Sequence, residues 1–289
     1  MQTQFNTVAI IGKFMRESAV QLMRKDLADL AQHLQAKNMT VLFEVNTAEH
    51  AQIDHFKTIA LDEIGQKADL VIVMGGDGTM LSAARALKNS AVPLVGINRG
   101  HFGFLTDLRA EEMLQSIDAI LAGEYQTESR MVLNASVIRD GETILQNHAF
   151  NDIVLKSGLR LIELEVTIDN QFIHKQRADG LIVSTPTGTT AYSLSAGGPI
   201  LHPGLDAIAL VPICPHTLSN RPLAVNSNAK IEITVMQVDD AQISFDGQSQ
   251  LVLSLGDRVK VKRADESVTL LHPSEYCYYD MLRNKLHWG

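Results

Sequence analysis

A short apolar strand followed by a glycine turn and a helix constrains this chain more than any other feature. Residues 70–74 form an unbroken apolar run, which is typical of a strand buried on both faces. Residues 75–79 contain three glycines, and helical spacing resumes after Thr79. Glycine amides at the start of a helix can surround an anion, because no side chain obstructs them and the helix dipole favours negative charge. The stretch therefore predicts a phosphate-binding turn.

Asp77 stands inside this turn, where a carboxylate repels phosphate unless it has a separate task. In a phosphoryl transfer the acid can help to hold a divalent metal, or it can orient and deprotonate the attacking alcohol. An acid at a helix start is also a common helix cap, and this alternative stays open. The turn lacks the Gly-Lys-Ser/Thr of a Walker loop, and Leu81 takes the place of the third glycine of a dinucleotide fingerprint. Hydride transfer on this loop is therefore not expected.

Composition limits the partners of the chain. Its 289 residues are 45% hydrophobic, which is enough for a sizeable core and for two domains. The 33 acidic residues outnumber the 25 basic ones without any block of like charge, which argues against a nucleic-acid or anionic-membrane partner. No apolar run approaches the roughly 20 residues of a membrane helix, and no signal-like segment is evident, so we expect a cytoplasmic protein.

Cysteine and histidine spacing assigns no metal site. Cys214 and Cys277 lie far apart in the sequence and are interpreted as reduced thiols. The histidines include no HxxxH or HxH pair.

Strand and helix patterns alternate over the first part of the chain. They predict strands at residues 7–11, 39–45, 70–74 and 92–97, and helices at 18–36, 49–67, 81–88 and 111–121, the last ending at Gly123. This alternation predicts a Rossmann-like α/β domain, with a parallel sheet that has helices on both faces. Ligands bind such sheets at the carboxyl ends of the strands, where the glycine turn falls.

The pattern changes near residue 127 to short runs of alternating apolar residues. The runs cover residues 131–138, 143–155, 161–168, 180–184, 231–235, 242–245, 251–255 and 259–262. Asp140-Gly141 and Asp169-Asn170 are turn signals between them. We therefore predict an α/β domain at 1–126, a mainly antiparallel all-β domain at 127–271, and a tail at 272–289 that packs back on the first domain.

Two loops carry residues suited to a nucleotide. In the loop at residues 98–107, Phe102, Phe104 and Leu105 can cover a flat ring, or they can pack a helix onto the sheet. Asn151-Asp152 combines an amide and a carboxylate that can recognise an adenine edge and a ribose diol, although the pair is also a common turn at a strand end.

A segment rich in small hydroxyl residues spans positions 185–199. It suits a loop that runs into a helix start, with Thr187, Thr190, Tyr192 and Ser195 available to a nucleotide, although its composition also fits a surface linker. Arg177 and Asp179 precede it and offer a cation and an acid to a dinucleotide, or form a solvated ion pair of little consequence.

At these residues the chain resembles bacterial NAD kinases. The shared motifs, in the same order, are GGDGTM at 75–80, GINRGHFGFLTD at 96–107, FNDIVL at 150–155, RADGLIVSTPTGTTAYSLSAGGPI at 177–200 and PHTLSNRPL at 215–223. The glycine turn alone also resembles loops of diacylglycerol kinases, sphingoid-base kinases and phosphofructokinases, whereas the threonine-rich segment is specific. The resemblance implies an N-terminal domain related to those of phosphofructokinase and diacylglycerol kinase, and ATP-dependent phosphorylation of NAD with Mg²⁺.

The resemblance also implies roles for individual residues. Asp77 is expected to be the general base that faces the 2′-hydroxyl of the adenosine ribose. The phosphates of ATP are expected on Gly75, Gly76, Gly78 and Thr79. Asp179 is expected to reach the nicotinamide riboside, commonly across a subunit interface. The remaining residues implied in NAD binding are Gly78, Phe104, Asn151, Asp152, Arg160, Arg177, Thr187, Thr190, Ala191, Tyr192, Ser193, Leu194, Ser195 and Gln248.

The family further implies a homodimer or homotetramer assembled through the second domain, which also binds NAD. One departure is visible, because His101-Phe102 replaces the more usual Asn-Leu of the loop.

Two alternative functions share features of this sequence. A lipid kinase has the same glycine turn but needs an apolar pocket for an acyl chain, and a non-catalytic dinucleotide sensor does not need Asp77.

Overall fold

The computed structural model describes residues 5–12, 17–100, 103–158, 160–217 and 219–288. The strands are β1 Thr7–Gly12, β2 Thr40–Glu44, β3 Lys57–Ile59, β4 Leu70–Met74, β5 Leu94–Asn98, β6 Leu108–Arg109, β7 Tyr125–Arg139, β8 Glu142–Ala149, β9 Asp152–Ser157, β10 Ile162–Ile168, β11 Gln171–Ala178, β12 Gly180–Ser184, β13 Ala207–Ile213, β14 Leu223–Asn226, β15 Ile231–Gln237, β16 Ala241–Phe245, β17 Ser249–Val252 and β18 Arg258–Pro273. The helices are α1 Glu17–Ala36, α2 Val45–Ala51, α3 Ile64–Lys67, α4 Asp77–Ala86, α5 Met113–Leu121, α6 Tyr192–Ser195 and α7 Tyr278–Leu286.

Two compact units make up the described chain. The first unit comprises the described residues of Met1–Ser129 and Val268–Gly289, and the second those of Arg130–Ser267. Among the helices of the described ranges, none has the length and apolar character that a membrane crossing requires.

The first unit is built on a parallel sheet with strand order β3-β2-β1-β4-β5. Buried residues such as Val8, Ile10 and Ile72 form the core together with apolar residues of α1 and α5. From β1 the chain adds β2 and β3 on one side, and it then returns to the other side of β1 to add β4 and β5. β1 and β4 therefore flank the switch point, where such sheets bind ligands. The predicted parallel α/β architecture is confirmed.

The predicted helix over residues 49–67 is wrong, because that range contains the edge strand β3. β3 forms by pairing with β2, as in the Leu42–Lys57 register pair, and its own short sequence does not reveal this partner. The helix before it, α2, begins early because the Glu44 side chain accepts hydrogen bonds from the backbone N–H groups of Asn46 and Thr47. α2 ends at Ala51, and the next residue, Gln52, has a left-handed φ of 52°.

The second unit consists of antiparallel strands in two layers. One layer has the order β14-β13-β12-β9-β16-β17, and the other pairs β11, β10, β15 and the first part of β18. Leu155 and Val183 of the first layer and Leu164 and Ile233 of the second belong to one buried cluster. The predicted antiparallel, all-β character is confirmed.

The predicted hairpin turns in the second unit have the expected backbone. Asp140 and Gly141 have φ values of 51° and 86°, and Asp169 and Asn170 have values of 51° and 62°. Positive φ at both central residues is the signature of a tight hairpin turn that matches strand twist.

The sequence prediction for residues 143–155 is wrong in one respect, because the single run is two strands. The Asp246 carboxylate accepts hydrogen bonds from the backbone N–H groups of Phe150, Asn151 and Asp152 at 2.7–3.0 Å, and these bonds mark the point where β8 ends and β9 begins. Three strands of the second unit went unpredicted: β11, β13 and β14. β11 is polar and β13 contains a proline, so neither has the alternating pattern that the prediction relied on.

The C-terminal tail belongs to the first unit and carries α7. His272 anchors its start: the Nδ1 atom lies 2.8 Å from Asp107 Oδ2 and the Nε2 atom 3.2 Å from Glu128 Oε2. The His272 side chain is 2% exposed and stacks on the Tyr276 ring at a centroid distance of 4.0 Å.

Candidate active site

The glycine turn lies at the carboxyl end of β4, and α4 begins at Asp77. The Gly75 amide donates to the Ile97 carbonyl at 2.8 Å, which fixes the start of the turn on the neighbouring strand β5. A Cβ atom added to Gly76 or Gly78 would meet no atom of the described chain within 4 Å. The turn therefore presents an open, side-chain-free surface at a helix N-terminus, which is suited to a phosphate.

A cavity of about 340 Å³ adjoins this turn. Its lining combines the ends of β1, β2 and β4 with one face of α4, and consists of Ile11, Gly12, Glu44, Asn46, Leu61, Gly76, Gly78, Thr79, Ser82 and Ala83. Sequence reasoning missed Glu44 and Asn46. The residues come from three strand ends that only the parallel sheet brings together, so no local motif identifies them.

The Asp77 carboxylate is held by the loop that follows β5. Oδ2 accepts from the Phe104 N–H at 2.9 Å, and Oδ1 accepts from the Leu105 N–H at 3.0 Å and from the Thr106 hydroxyl at 3.4 Å. None of these bonds goes to α4 itself, so the carboxylate does not serve as a helix cap. Its position is instead fixed by backbone amides, which cannot move without moving the loop.

Gly103 makes this arrangement sterically feasible. A Cβ atom at position 103 would lie 1.9 Å from Asp77 Oδ1 and 2.4 Å from Thr106 Oγ1. Any other residue must therefore push the carboxylate or the threonine aside. Sequence reasoning did not connect Gly103 to Asp77.

The apolar residues of this loop separate into two environments. Leu105 is buried in the first unit, whereas Phe104 is half-buried and the Lys285 ammonium lies 5.8 Å from its ring centroid. Phe102 and His101 lie outside the described residues. Phe104 therefore combines a partly open ring with a backbone amide bonded to Asp77.

The second unit contains a cavity of about 490 Å³. Four of the predicted NAD-binding residues line it: Asn151, Asp152, Ala191 and Tyr192. The cavity wall also includes polar residues that sequence reasoning did not assign, among them Lys156, Asp240, Gln242, Ser244, Asp246 and Gln250. The Asp-Gly turn between β16 and β17 is the sequence signal that could have identified Asp246. The turn does not reveal that the Asp246 carboxylate bonds to the backbone of residues 150–152.

Asn151 lines this cavity and has a side-chain acceptor that no group of the described chain uses. Its side-chain Oδ1 is buried and has no hydrogen-bond partner within the described residues. A buried amide oxygen without a partner is costly, and a ligand amine would satisfy it. The pair stands at a strand end, as its alternative interpretation expected, with Asn151 between β8 and β9 and Asp152 as the first residue of β9.

Asp152 is 5% exposed and has an altered pKa. Burial, together with the nearby negative charge of Asp246, raises the pKa of Asp152 to about 7. Its carboxyl group can therefore donate or accept a proton near neutral pH, which suits contact with a ribose diol.

The threonine-rich segment packs directly on the Asn151 break. The Thr185 hydroxyl donates to the Phe150 carbonyl at 2.7 Å, and a Cβ atom at Gly188 would lie 2.1 Å from the Asn151 carbonyl oxygen. The segment then forms a 3₁₀ turn over Thr187–Thr190 and the short helix α6. The buried Arg130 side chain, which sequence reasoning missed, donates to the Thr187 hydroxyl at 3.2 Å.

The other predicted residues lie in different surroundings. Arg160 is 75% exposed and pairs with Asp239 at 2.9 Å, and Arg177 is 61% exposed with its Nε atom 4.0 Å from Glu163. Gln248 and Ser195 are exposed, Asp179, Thr190 and Leu194 are half-buried, and Ser193 is buried. The cavity walls do not include these side chains.

Two family models match the chain. The model of the ATP-NAD kinase N-terminal domain matches residues 8–125, and that of the ATP-NAD kinase C-terminal domain matches residues 151–272. The chain belongs to the ATP-NAD kinase family. As a member of that family it is a phosphotransferase, and the resemblance seen in its sequence is confirmed.

Relatives of the ATP-NAD kinase family cover nearly the whole chain. The NAD kinase of Thiobacillus denitrificans is 49% identical over 291 residues, which cover 100% of this chain and 99% of that protein. The NAD kinase of Chromobacterium violaceum is 52% identical over 265 residues, which cover 91% of each.

Two solved structures share the fold of this ATP-NAD kinase family member. Yeast NADH kinase complexed with NADH has a TM-score of 0.87 at 28% identity, covering 99% of this chain and 88% of that one. The Archaeoglobus fulgidus NAD kinase in complex with ATP has a TM-score of 0.76 at 23% identity, covering 98% of this chain and 100% of that one, and supports the fold alone.

A Gly103→Ala substitution is expected to displace the Asp77 carboxylate. Since the methyl group collides with a carboxylate held by hydrogen bonds and with the buried Thr106 hydroxyl, the free energy of unfolding should fall as those bonds are lost. If Asp77 is the expected general base, kcat should fall by at least about tenfold, because a small misplacement of such a group is costly. Steady-state kinetics and thermal denaturation measure both effects. If the alanine acts through Asp77, adding it to Asp77→Asn should cause no further loss, and an additive loss would contradict this explanation.

The raised pKa of Asp152 predicts a pH-dependent stability. Between about pH 4 and pH 7 the folded state binds this proton more tightly than the unfolded state, so the free energy of unfolding should fall as pH rises through that window. Relative to Asp152→Asn, the wild type should lose about 2–3 kcal/mol between pH 5 and pH 8. Urea unfolding of both proteins at the two pH values tests this, and parallel pH profiles would show that Asp152 is not protonated.

Proposed function

We propose that this chain transfers the terminal phosphoryl group of ATP to the 2′-hydroxyl of the adenosine ribose of NAD, giving NADP and ADP. The observation that carries the proposal is the Asp77 carboxylate, which backbone amides hold in the first turn of α4 beside an open glycine surface. An acid in a phosphate-binding turn that does not cap its helix is free to act on an alcohol.

The first unit would bind the phosphoryl donor. The glycine turn offers backbone amides and the positive end of α4 to the phosphates. The adjoining cavity has apolar walls from Ile11, Leu61 and Ala83, which suit the purine of ATP. Asn46 adds an amide that can bond to its edge.

The second unit would bind the acceptor. The unpartnered Asn151 Oδ1 suits the exocyclic amine of an adenine, and Asp152 suits hydroxyl groups of a ribose. The exposed Tyr192 ring, with Lys156 at 5.9 Å, and the hydroxyl groups of Thr187 and Thr190 would complete the dinucleotide contacts. Arg160, Arg177 and Gln248 can join them only by extending from the surface. Asp179 would serve the nicotinamide riboside.

The chemistry requires little from the protein besides position and charge. The alcohol attacks the terminal phosphorus as the bond to ADP breaks, and Asp77 accepts the proton of the hydroxyl. In a loose transition state the base gives the smaller part of the acceleration, while alignment and neutralisation by the α4 amides give the larger part.

Mg²⁺ is included in this proposal as a companion of ATP. Within the described ranges no group of three or more His, Cys, Asp or Glu residues is placed to hold a metal. Mg²⁺ commonly keeps several waters and binds through substrate phosphates with few protein ligands, so an ion carried by ATP does not need such a group. When bound, the ion would neutralise charge on the transferring phosphoryl group.

The two alternative functions are not favoured. The cavity of the second unit is lined largely by amide, hydroxyl and charged side chains, and an acyl chain needs an apolar lining. A sensor without catalysis would have no need for Asp77 or for the loop that holds it.

A homo-oligomeric, cytoplasmic enzyme forms part of the proposal. Phe172 and Ile173 are 60% and 38% exposed on β11, which lies at the edge of its sheet. Exposed apolar residues on an unpaired edge are typical of a contact with another chain. The mass of the protein in solution, measured by light scattering, tests this assembly.

The decisive experiment couples NADP formation to a dehydrogenase with ATP, Mg²⁺ and NAD supplied. Asp77→Asn should lower kcat by at least about a hundredfold, because the amide cannot accept the proton, while NAD affinity changes little. Near-normal turnover of this variant would exclude the general-base role. Failure of the wild type to form NADP would exclude the proposed reaction itself.

A Gly78→Ala substitution should separate folding from donor binding. The added methyl group meets no atom of the described chain, and alanine is the better helix former in this first turn of α4, so the melting temperature should stay the same or rise. The KM for ATP should rise by about tenfold or more, because the methyl group obstructs the phosphates. An unchanged KM would show that the phosphates bind elsewhere.

A further inference from the structure

We propose that Thr106 and Asn98 are positioning residues that occupy Oδ1 of Asp77 and leave Oδ2 as the atom that takes the ribose proton. This inference rests on the proposed function and adds two residues to it. It follows from the direction of three consecutive hydrogen bonds in the first unit.

The first of the three hydrogen bonds runs from Gly100 to Asn98, and it fixes the donor and acceptor of each bond that follows. The Gly100 backbone N–H can only donate, and it lies 2.7 Å from Asn98 Oδ1, which identifies that atom as the amide oxygen. The other end of the amide, Nδ2, is therefore a donor, and it lies 3.1 Å from Thr106 Oγ1. Thr106 Oγ1 accepts from Asn98.

The threonine proton must then go elsewhere. A hydroxyl has one proton, and the acceptor within reach is Asp77 Oδ1 at 3.4 Å. Thr106 is fully buried, so water does not compete for this proton. The Gly103 N–H donates to the Thr106 carbonyl at 3.2 Å and closes the same turn, which holds the hydroxyl in place.

The two oxygens of Asp77 are consequently unequal. Oδ1 receives the Leu105 N–H and the Thr106 hydroxyl, so both of its lone pairs are engaged. Within the described residues, Oδ2 receives only the Phe104 N–H, which leaves one lone pair for a ligand. When the 2′-O–H bond of the ribose breaks, the proton goes to this lone pair. The ribose oxygen forms its bond to the terminal phosphorus of ATP, and ADP leaves with the electrons of the broken P–O bond.

The threonine contact is longer than the 2.7–2.8 Å of a typical hydroxyl bond and is the weakest of the three on Asp77. The expected effect of removing it is therefore smaller than that of removing Asp77. Thr106→Val keeps the shape of the side chain and deletes the hydroxyl, so kcat should fall by about tenfold. The NAD dissociation constant, measured by calorimetry, should stay unchanged because binding does not need the proton acceptor.

Thr106→Ser is the matched control, since it restores the hydroxyl and removes only a methyl group. It should recover most of the lost kcat. Recovery with serine separates the hydrogen bond from packing. If serine and valine lower kcat equally, or if valine leaves kcat unchanged, the positioning role is overturned.

Asn98→Asp tests the direction of these three hydrogen bonds, because aspartate has nearly the same shape as asparagine. Both carboxylate oxygens accept, so the Thr106 proton would turn from Asp77 to residue 98, and kcat should fall about as far as in Thr106→Val. In the Thr106→Val background there is no proton to redirect, so Asn98→Asp should have no further effect on kcat. An equal loss in both backgrounds would mean that the added charge acts by itself, and would overturn the inference.

These outcomes are distinct from those that test the proposed function. A wild type that forms no NADP rejects the function, whatever the variants do. An active wild type with an inactive Asp77→Asn variant and a fully active Thr106→Val variant keeps the function and rejects the inference. Thermal denaturation of each variant shows that the kinetics report on folded protein.

Discussion

The proposed chemistry of the first unit depends on two hydrogen bonds, which the Phe104 and Leu105 amides donate to the Asp77 carboxylate. They join the end of β4 to the loop after β5, two neighbouring strands of one parallel sheet. A carboxylate that accepts backbone N–H groups is held at a fixed position without side-chain rotation. Because Gly103 approaches the acid so closely, the loop and the acid behave as one body. If Asp77 is the general base, as proposed, an acid placed in this way would need no reorganisation when substrate binds.

The tail of the chain supports the same loop from its other end. Asp107 follows the residues that hold Asp77, and its carboxylate lies 2.8 Å from the His272 ring. Such a contact is strong where water is excluded, and both side chains are almost fully buried. The last residues of the chain thus contribute to the geometry of a loop more than 160 residues earlier, through one short contact.

The second unit concentrates its polar groups at a break in an otherwise apolar sandwich. Asp246 holds the backbone of residues 150–152, and its charge combines with burial to raise the pKa of Asp152 to about 7. An unpartnered amide oxygen on Asn151 stands beside it. Buried groups of this kind lower the stability of the folded chain unless a ligand completes them, which is why they are common at binding sites. The surrounding strands contribute buried apolar residues to one cluster, among them Leu155, Val183 and Ile243.

The sequence by itself determined the strand, the glycine turn and the helix around Asp77, because a buried run and glycine spacing are local signals that need no partner. It also determined the two fold classes and, by resemblance, the family. Only the tertiary structure decided which atoms hold Asp77, since neither Asn98 at the end of β5 nor Thr106 in the loop after it carries a local signal of the contact between Thr106 and the acid. The strand β3, the β8–β9 break and the roles of Asp246 and Glu44 were unpredictable for the same reason. Their structure is imposed by hydrogen-bond partners far away in the sequence, and a local pattern contains no record of a distant partner.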